Sequence, residues 1–399
     1  MNILMVAPEP FFEPRGTPIS VYQRLEALSA LGHHVDLLTY HVGKDVSFRN
    51  VRIIRVQKIG FITHVRIGPS RAKILLDILL FFKALWMLLH NRYDVIHAHE
   101  EAAFFCGPLA MLFGMRHLYD MHSILHEQMG NFNFGNKRIF IKLFEILERW
   151  VIKTSDAIIT VGSDIERYVF QVNPRAKEIK IENIALQAFQ KPVSSEAIEK
   201  LKNRLSLNGN IPVVYTGTYE LYQGLETALE SVKIVRKQFP SVVFLFVGAK
   251  QNQGRVWREK AKLLGVEDST LFIDLVSPEE SMVYLAYADV LISPRLTGTT
   301  TPLKIYSYLH SGKPIVATNT YAHTQVLNSD IAFLVEPTKE GMANGILFIL
   351  QNPEYGKCLG NNAHAFAMDH YNYHSYVSKV NRIYTELHAS KELESTVQV

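Results

Sequence analysis

The sequence predicts an α/β chain of two doubly wound parallel sheets, each with helices on both faces, and three observations carry that reading. Short Val-, Ile- and Leu-rich runs alternate with helical patterns along nearly the whole chain. The alternation lapses once, over 184–207, where the chain turns polar, and then resumes. The length of 399 residues suits two domains at roughly 100–200 residues each.

The first series opens with a strand at Ile3–Val6. A helix follows over Pro18–Leu31, with Thr17 as N-cap, Pro18 in the first helical position and Gly32 just past its end. Val35–Tyr40 is the next strand, and Asp94–His99, Arg116–Tyr119 and Ala157–Val161 read as further buried strands. Ser163 and Glu166 have the spacing of a capping box that opens another helix. A linker is expected near 184–192. The second series has strands at Val213–Thr216, Val242–Val247, Thr270–Asp274, Val290–Ser293, Pro314–Ala317 and Ala332–Val335. Ser277, Pro278 and Glu280 start a helix, and Gly265 and Gly312 have the look of helix C-caps. The expected domains are 1–187 and 188–374, with a last helix over about 375–399 packing back on the first.

Composition removes several classes. Apolar residues at 48% and charged residues at 20% exclude a disordered chain, a collagen and a coiled coil. Two cysteines far apart, Cys106 and Cys358, make neither a disulfide scaffold nor a cysteine zinc module, and point to a reducing compartment. A formal charge of +4 is too weak to claim nucleic acid. The N-terminus reads as a strand rather than a signal peptide. The run Ile74–Leu89 carries Asp77 and Lys83 and falls short of the ~20 mostly apolar residues of a spanning helix.

Open parallel sheets bind ligands beyond the carboxyl ends of their strands, and two such sheets are expected to face each other across an interdomain cleft. After the first strand, Gly16 and Thr17 stand where a helix begins, a place whose free amides suit an anion. After Val290–Ser293 comes a small-residue loop, Gly298 and Thr299–Thr301, with Thr301 expected as N-cap, Pro302 as first helical residue and Lys304 in the first turn. A cation there opposes the helix dipole by ~0.3–1 kcal/mol when exposed. With Arg295 just upstream, an anion between the two would turn that penalty into attraction. Gly217 and Gly224 follow Val213–Thr216 and fit a tight strand-to-helix turn. His97 and His99 end one strand and His122 another; a lone pair of histidines without further ligand spacing is a weak metal signal, and no Asp-x-Asp occurs to hold a metal-bridged diphosphate. Glu100 and Glu101 read first as exposed loop charges.

Taken together, RGTPISVYQRLEALSALGHHVDLLT (15–39), DVIHAHEE (94–101), YDMHS (119–123), TSDAIITVGSDI (154–165), YTGTYELYQG (215–224) and PLKIYSYLHSGKPIVATN (302–319) resemble glycosyltransferase family 4, over nearly the whole chain and in the family's order. The resemblance implies the GT-B fold, two Rossmann-like domains with a nucleotide sugar held mainly by the second, and sugar transfer with retention of configuration and without a metal or cofactor. It places Gly16 and Thr17 by the donor diphosphate, His122 near the donor sugar, and Gly217, Gln223, Gly298, Thr299, Thr300, Thr301 and Ser307 around the donor. Thr299 and Ser307 stand where the family has two acids eight positions apart, the second on the donor ribose. Gln223 stands where it has a lysine. Arg295 and Lys304 are the candidate replacements for the missing cations, and His122, Arg295 and Lys304 are the expected catalytic group.

The segment 44–92 holds ten Lys or Arg against two Asp, and 136–153 mixes apolar stripes with Lys and Arg. Basic amphipathic helices bind anionic membranes. A cytoplasmic protein, peripheral on the inner face of the cell membrane, is therefore expected. The expected partners are a UDP- or GDP-linked sugar, a saccharide or lipid-linked acceptor of envelope polysaccharide or glycoconjugate synthesis, and no nucleic acid. A non-catalytic GT-B partner protein and a nucleotide-sugar epimerase are the alternatives. A Rossmann dehydrogenase is disfavoured, because no G-x-G-x-x-G follows the first strand.

Overall fold

The computed structural model describes residues 1–13, 16–65, 70–130, 137–185, 192–250, 252–298 and 300–397. The chain divides into two compact units, Met1–Asn183 with His374–Val399, and Ile184–Tyr373.

The first unit is a parallel sheet of 7 strands in the order β3-β2-β1-β4-β5-β6-β7. Its strands are β1 Asn2–Ala7, β2 His34–Thr39, β3 Val51–Arg55, β4 Val95–His99, β5 Arg116–Met121, β6 Ala157–Thr160 and β7 Glu178–Lys180. The central strands are buried on both faces, the setting in which apolar runs form parallel strands, and their core includes Leu4, Val6, Ile96, Ala98 and Ile158. The edge strands β3 and β7 have no counterpart in the sequence reading. Both are short and half-buried, and charged residues break their apolar pattern. The unit is closed by α15, Tyr373–Val397, whose Tyr376, Val380, Ile383, Tyr384 and Leu387 are buried at helical spacing.

The second unit is a parallel sheet of 6 strands in the order β10-β9-β8-β11-β12-β13. Its strands are β8 Ile211–Thr216, β9 Val242–Ala249, β10 Thr270–Asp274, β11 Val290–Ser293, β12 Ile315–Thr318 and β13 Phe333–Val335. Ser277 caps α10, Pro278–Tyr287, by accepting from the Glu280 amide, with Pro278 in the first position, as its sequence predicts. Gly265 and Gly312 close their helices in the left-handed conformation, also as expected.

Three helix starts differ from expectation. The helix α1 spans Gly16–Ala30, so Thr17 lies inside its first turn and is no cap. The helix α6 spans Ser163–Val172 with Gly162 as N-cap and no side-chain cap bond. The Lys180 ammonium draws both partners of the expected capping box away, reaching Ser163 Oγ at 3.1 Å and Glu166 Oε2 at 3.2 Å. The helix α11 spans Leu303–Ser311 and its N-cap is Pro302, not Thr301, because Pro302 has an extended ψ of 134°.

Candidate active site

In the first unit, β4 and β5 run side by side with His97 opposite Leu118 and His99 opposite Asp120. Side chains alternate along a strand, so His97, His99 and Asp120 share one face of the sheet, and His122 continues that face just past β5. Arg24 of α1 meets them. It lies on the helix's buried side with Val21, Leu25 and Leu28, where its charge needs a partner.

Asp120 is that partner. Arg24 Nε donates to Asp120 Oδ2 at 2.9 Å, and Arg24 also donates to the Ile181 carbonyl at 3.1 Å and to the Tyr376 hydroxyl of α15. His97 Nε2 lies 3.2 Å from the same Oδ2, while Tyr384 of α15 bonds His97 Nδ1 at 2.6 Å. His122 Nε2 lies 3.2 Å from Asp120 Oδ1 and 3.0 Å from His99 Nδ1. Arg24, His97, His99 and Asp120 are fully buried; His122 alone keeps some side-chain exposure, at 6%.

Burial pushes the Asp120 carboxyl up, yet Arg24 and the surrounding imidazoles outweigh it and hold the group well below the usual range. The rings go the other way. Burial lowers His97 and, further, His99, and brings His122 down to about 4. The cluster is thus one ion pair and three neutral imidazoles at neutral pH. His97, His99 and Asp120 approach one another closely enough to ligate a metal. Arg24 sits on the same carboxylate, however, and both His97 nitrogens have partners, while His99 Nε2 and Asp120 Oδ1 make no hydrogen bond.

A stability prediction follows. These rings have folded-state pKa values below the ordinary 6.5, so the unfolded chain binds more protons as pH falls, and stability present above ~6.5 is lost on the way to ~4. His117, lowered to about 3 by burial, adds to the loss. Denaturant unfolding at stepped pH should show a loss of roughly 2–3 kcal/mol or more over that window; a flat profile would mean that the rings are already charged in the fold.

Glu100 and Glu101 are not solvated loop charges, contrary to the first reading. Glu100 turns the chain at the end of β4 with φ 48° and accepts from Ser123 Oγ at 3.0 Å, and Glu101 pairs with Lys73. Burial, and then Glu101, pushes the Glu100 carboxyl well above its usual range.

In the second unit, the loops at the carboxyl ends of β8 and β11 and the first turn of α11 bring Gly217, Gln223, Arg295, Gly298 and Lys304 together. Lys304 Nζ donates to Gln223 Oε1 at 3.1 Å and lies 3.8 Å from the centre of the Tyr215 ring. The charge missing at Gln223 therefore stands next to Gln223, delivered from α11. A Cβ on Gly217, whose φ is +140°, would lie 2.9 Å from Lys304 Nζ, so a glycine there lets the ammonium approach the backbone. Arg295 lies over the Tyr222 ring at 5.1 Å and donates from Nε to the Thr297 carbonyl at 2.7 Å. Its guanidinium occupies the space a Gly298 side chain would need, Nη2 being 2.1 Å from the ideal Cβ. Thr318 Oγ1 bonds the Arg295 carbonyl, and His323 bonds Ser293 Oγ at 2.8 Å and the Thr318 carbonyl at 2.7 Å, pinning the strand end.

Neither cation is in an ion pair among the described residues. Burial and then Arg295 push the Lys304 ammonium well below its usual range, and burial lowers Arg295. Two half-buried cations, Lys304 in the first turn of a helix and Arg295 in the loop before it, form a place for an anion. Thr300 and Thr301 lead into that terminus, and Ser307 stands one turn beyond Lys304 on the same helix. Thr299 lies outside the described residues. Gly16 is exposed at the start of α1 and Thr17 half-buried beside it.

Sequence reasoning named the loop residues but missed Tyr215, Tyr222, Arg24, Tyr376 and Tyr384. The readable signal was Arg24, a charge on the apolar stripe of α1; the aromatic partners carry none.

The sequence profile described as Glycosyltransferase Family 4 matches residues 14–181, and that described as Glycosyl transferases group 1 matches 197–366. Alpha-monoglucosyldiacylglycerol synthase of Streptococcus pneumoniae is 22% identical over 77% of this chain and 68% of its own length. Sucrose-phosphate synthase from Thermosynechococcus elongatus superposes with a TM-score of 0.79 at 20% identity, over 98% of this chain and 99% of that one. Anabaena HepE, solved in complex with UDP-glucose, gives a TM-score of 0.74 at 17% identity, over 96% and 99%. WaaG, a glycosyltransferase involved in lipopolysaccharide biosynthesis, gives 0.72 at 14%, over 96% and 99%.

Proposed function

We propose, from the premise that this chain belongs to the glycosyltransferase family 4-like proteins of the GT-B fold, that it moves a hexose from a UDP- or GDP-linked donor to a lipid-linked or saccharide acceptor at a membrane surface, with retention and without a metal. The observation that carries the reading is the pair of cations without counter-charges, Arg295 in the loop after β11 and Lys304 in the first turn of α11. As the bond between the anomeric carbon and the phosphate oxygen breaks, negative charge grows on the leaving diphosphate, and fixed cations and amides aimed there lower the barrier. The acceptor oxygen forms the new bond on the same face of the sugar, and its proton leaves with the diphosphate. Ser307 offers the donor ribose one hydrogen bond in place of a carboxylate's two. His122 meets a hydroxyl of the sugar.

A surface of the first unit supports the lipid side of the proposal. The helix α2, Arg71–His90, buries Leu76, Leu80, Ala84 and Met87 and leaves a second apolar stripe exposed: Ile74, Ile78, Phe82, Trp86 and Leu89. Lys83 lies over the Trp86 ring at 4.3 Å. The helices α3, Ala103–Phe113, and α5, Lys137–Thr154, add exposed Met111, Leu112, Ile139, Leu143 and Ile146. Among the described residues no helix is long and apolar enough to cross a membrane. An apolar stripe with Lys and Arg beside it suits an anionic interface, each basic group adding ~1 kcal/mol near the surface.

The test is nucleotide release from a panel of UDP-, GDP- and ADP-sugars, with vesicles of neutral lipid, of anionic lipid, or of membrane lipid extract. Release that depends on the lipid extract, and a Phe82→Asp/Trp86→Asp variant that loses at least tenfold in vesicle binding, are the expected results. A free epimeric nucleotide sugar formed without acceptor would make the protein an epimerase. No binding of any nucleotide would make it a non-catalytic partner.

A further inference from the structure

Tyr376 and Tyr384 in the first half of α15 reach the network that surrounds His122, and the hydrogen bonds leave few ways to place its protons. Arg24 cannot give up its charge, so Asp120 Oδ2 accepts from it. The same oxygen can bond His97 Nε2 only if that nitrogen carries a proton; His97 Nδ1 is then a bare acceptor, and Tyr384 donates to it. Asp120 Oδ1 is buried and makes no hydrogen bond, and His122 Nε2 stands 3.2 Å from it. His99 Nδ1 competes for the same His122 nitrogen at 3.0 Å. A bare Nε2 would set its lone pair against that carboxylate oxygen, whereas an Nε2–H is attracted by its charge and can donate to His99 Nδ1, so the proton on His122 belongs at Nε2.

We propose that Tyr384, His97 and Asp120 act as positioning residues that hold His122 as its Nε2–H tautomer, so that its Nδ1 meets the substrate as a hydrogen-bond acceptor. This rests on the transferase reading for the role of His122, but not for its tautomer. The His122 ring would then select a hydroxyl that donates, and a deoxygenated sugar at that position would be a poor substrate. The charged and titratable groups facing the ring are Arg24 from α1, His97 and His99 from β4, and Asp120 from β5, with Tyr376 and Tyr384 behind them from α15. Together they keep the ring neutral over the physiological range, because Arg24 and Asp120 cancel and burial disfavours a further charge.

Long-range proton–nitrogen spectra of the full chain labelled with 15N-histidine read the tautomer directly. The His122 resonances are assigned by their loss in His122→Asn. Expected is a protonated Nε2 and a bare Nδ1 that persist from pH 8 to pH 5.5. A protonated Nδ1, or a ring that titrates near 6.5, overturns the inference whatever the activity. In Tyr384→Phe, His97 loses the donor that fixes its tautomer. The Nε2–H population of His122 should fall, and kcat should drop about tenfold with the donor KM unchanged. A Tyr384→Phe protein whose His122 spectrum and kcat both match the wild type also overturns it. The expected tautomer in a protein that turns over no nucleotide sugar leaves this inference standing and removes the transferase reading instead.

Discussion

Replacing Lys304 with methionine should cut kcat/KM for the nucleotide sugar by ~10²–10³, the scale of removing one fixed group from transition-state charge, while the free protein becomes more stable. The two effects have one cause. The ammonium is held against Gly217 and the Tyr215 ring with Gln223 Oε1 as its hydrogen-bond partner and no carboxylate. Without ligand, that is a desolvated charge whose cost is not recovered. A methionine of similar length fills the volume without it, and a gain of ~1 kcal/mol or more in unfolding free energy, a few degrees in Tm, is expected. A lysine kept for structure alone would show the opposite sign, losing stability with turnover intact. The depressed ammonium pKa adds an independent signature. An incoming diphosphate raises that pKa toward its ordinary value, so between the two values UDP binding takes up a proton. Calorimetric titration with UDP in buffers of different ionisation enthalpy should register it at alkaline pH, and the methionine variant should lose it.

The second large effect belongs to the first unit. Arg24→Met should cost ~3–5 kcal/mol, since it leaves the Asp120 carboxylate buried without its counter-charge. At a few degrees per kcal/mol, Tm should fall by roughly 6–20 °C. The loss extends beyond one ion pair, because Arg24 also bonds the Ile181 carbonyl and Tyr376 of α15. Proteolysis should therefore release the C-terminal helix first in this variant. The double variant Arg24→Met/Asp120→Leu removes both charges together and should recover much of the loss, as replacing a buried pair with apolar groups often does. A double variant no better than the single one would show that His97 and His122 depend on the carboxylate more than Arg24 does.

The two residues differ in how readable they were. Lys304 stood out because it occupies the first turn of a helix, where a cation is disfavoured, after a loop of small residues. Local chemistry alone flagged it. Arg24 lies in a helix whose apolar positions recur at Val21, Leu25 and Leu28, and only its place on that stripe marks it. The segments DVIHAH and YDMHS gave the histidines but not their state. That state depends on an aspartate in the next strand and on tyrosines far along the chain. Glu100 and Glu101 were misjudged for the same reason, since Ser123 and Lys73 are neighbours only after β4, β5 and α2 have come together.

The sequence by itself determined all the strands but β3 and β7, the polar break between the two series and the loops at the strand ends. These follow from short-range patterns: alternation, helical spacing, caps and turns. Val51–Arg55 and Glu178–Lys180 escaped because charged residues break their short apolar runs. Tertiary structure alone decided which charges meet. Gln223 and Lys304 are 81 residues apart, Arg24 and Asp120 96, and His97 and Tyr384 287. A hydrogen bond or a pKa shift is a matter of a few ångströms, and no local pattern encodes a distance between residues so far apart; the parallel register of the sheets and the return of α15 do.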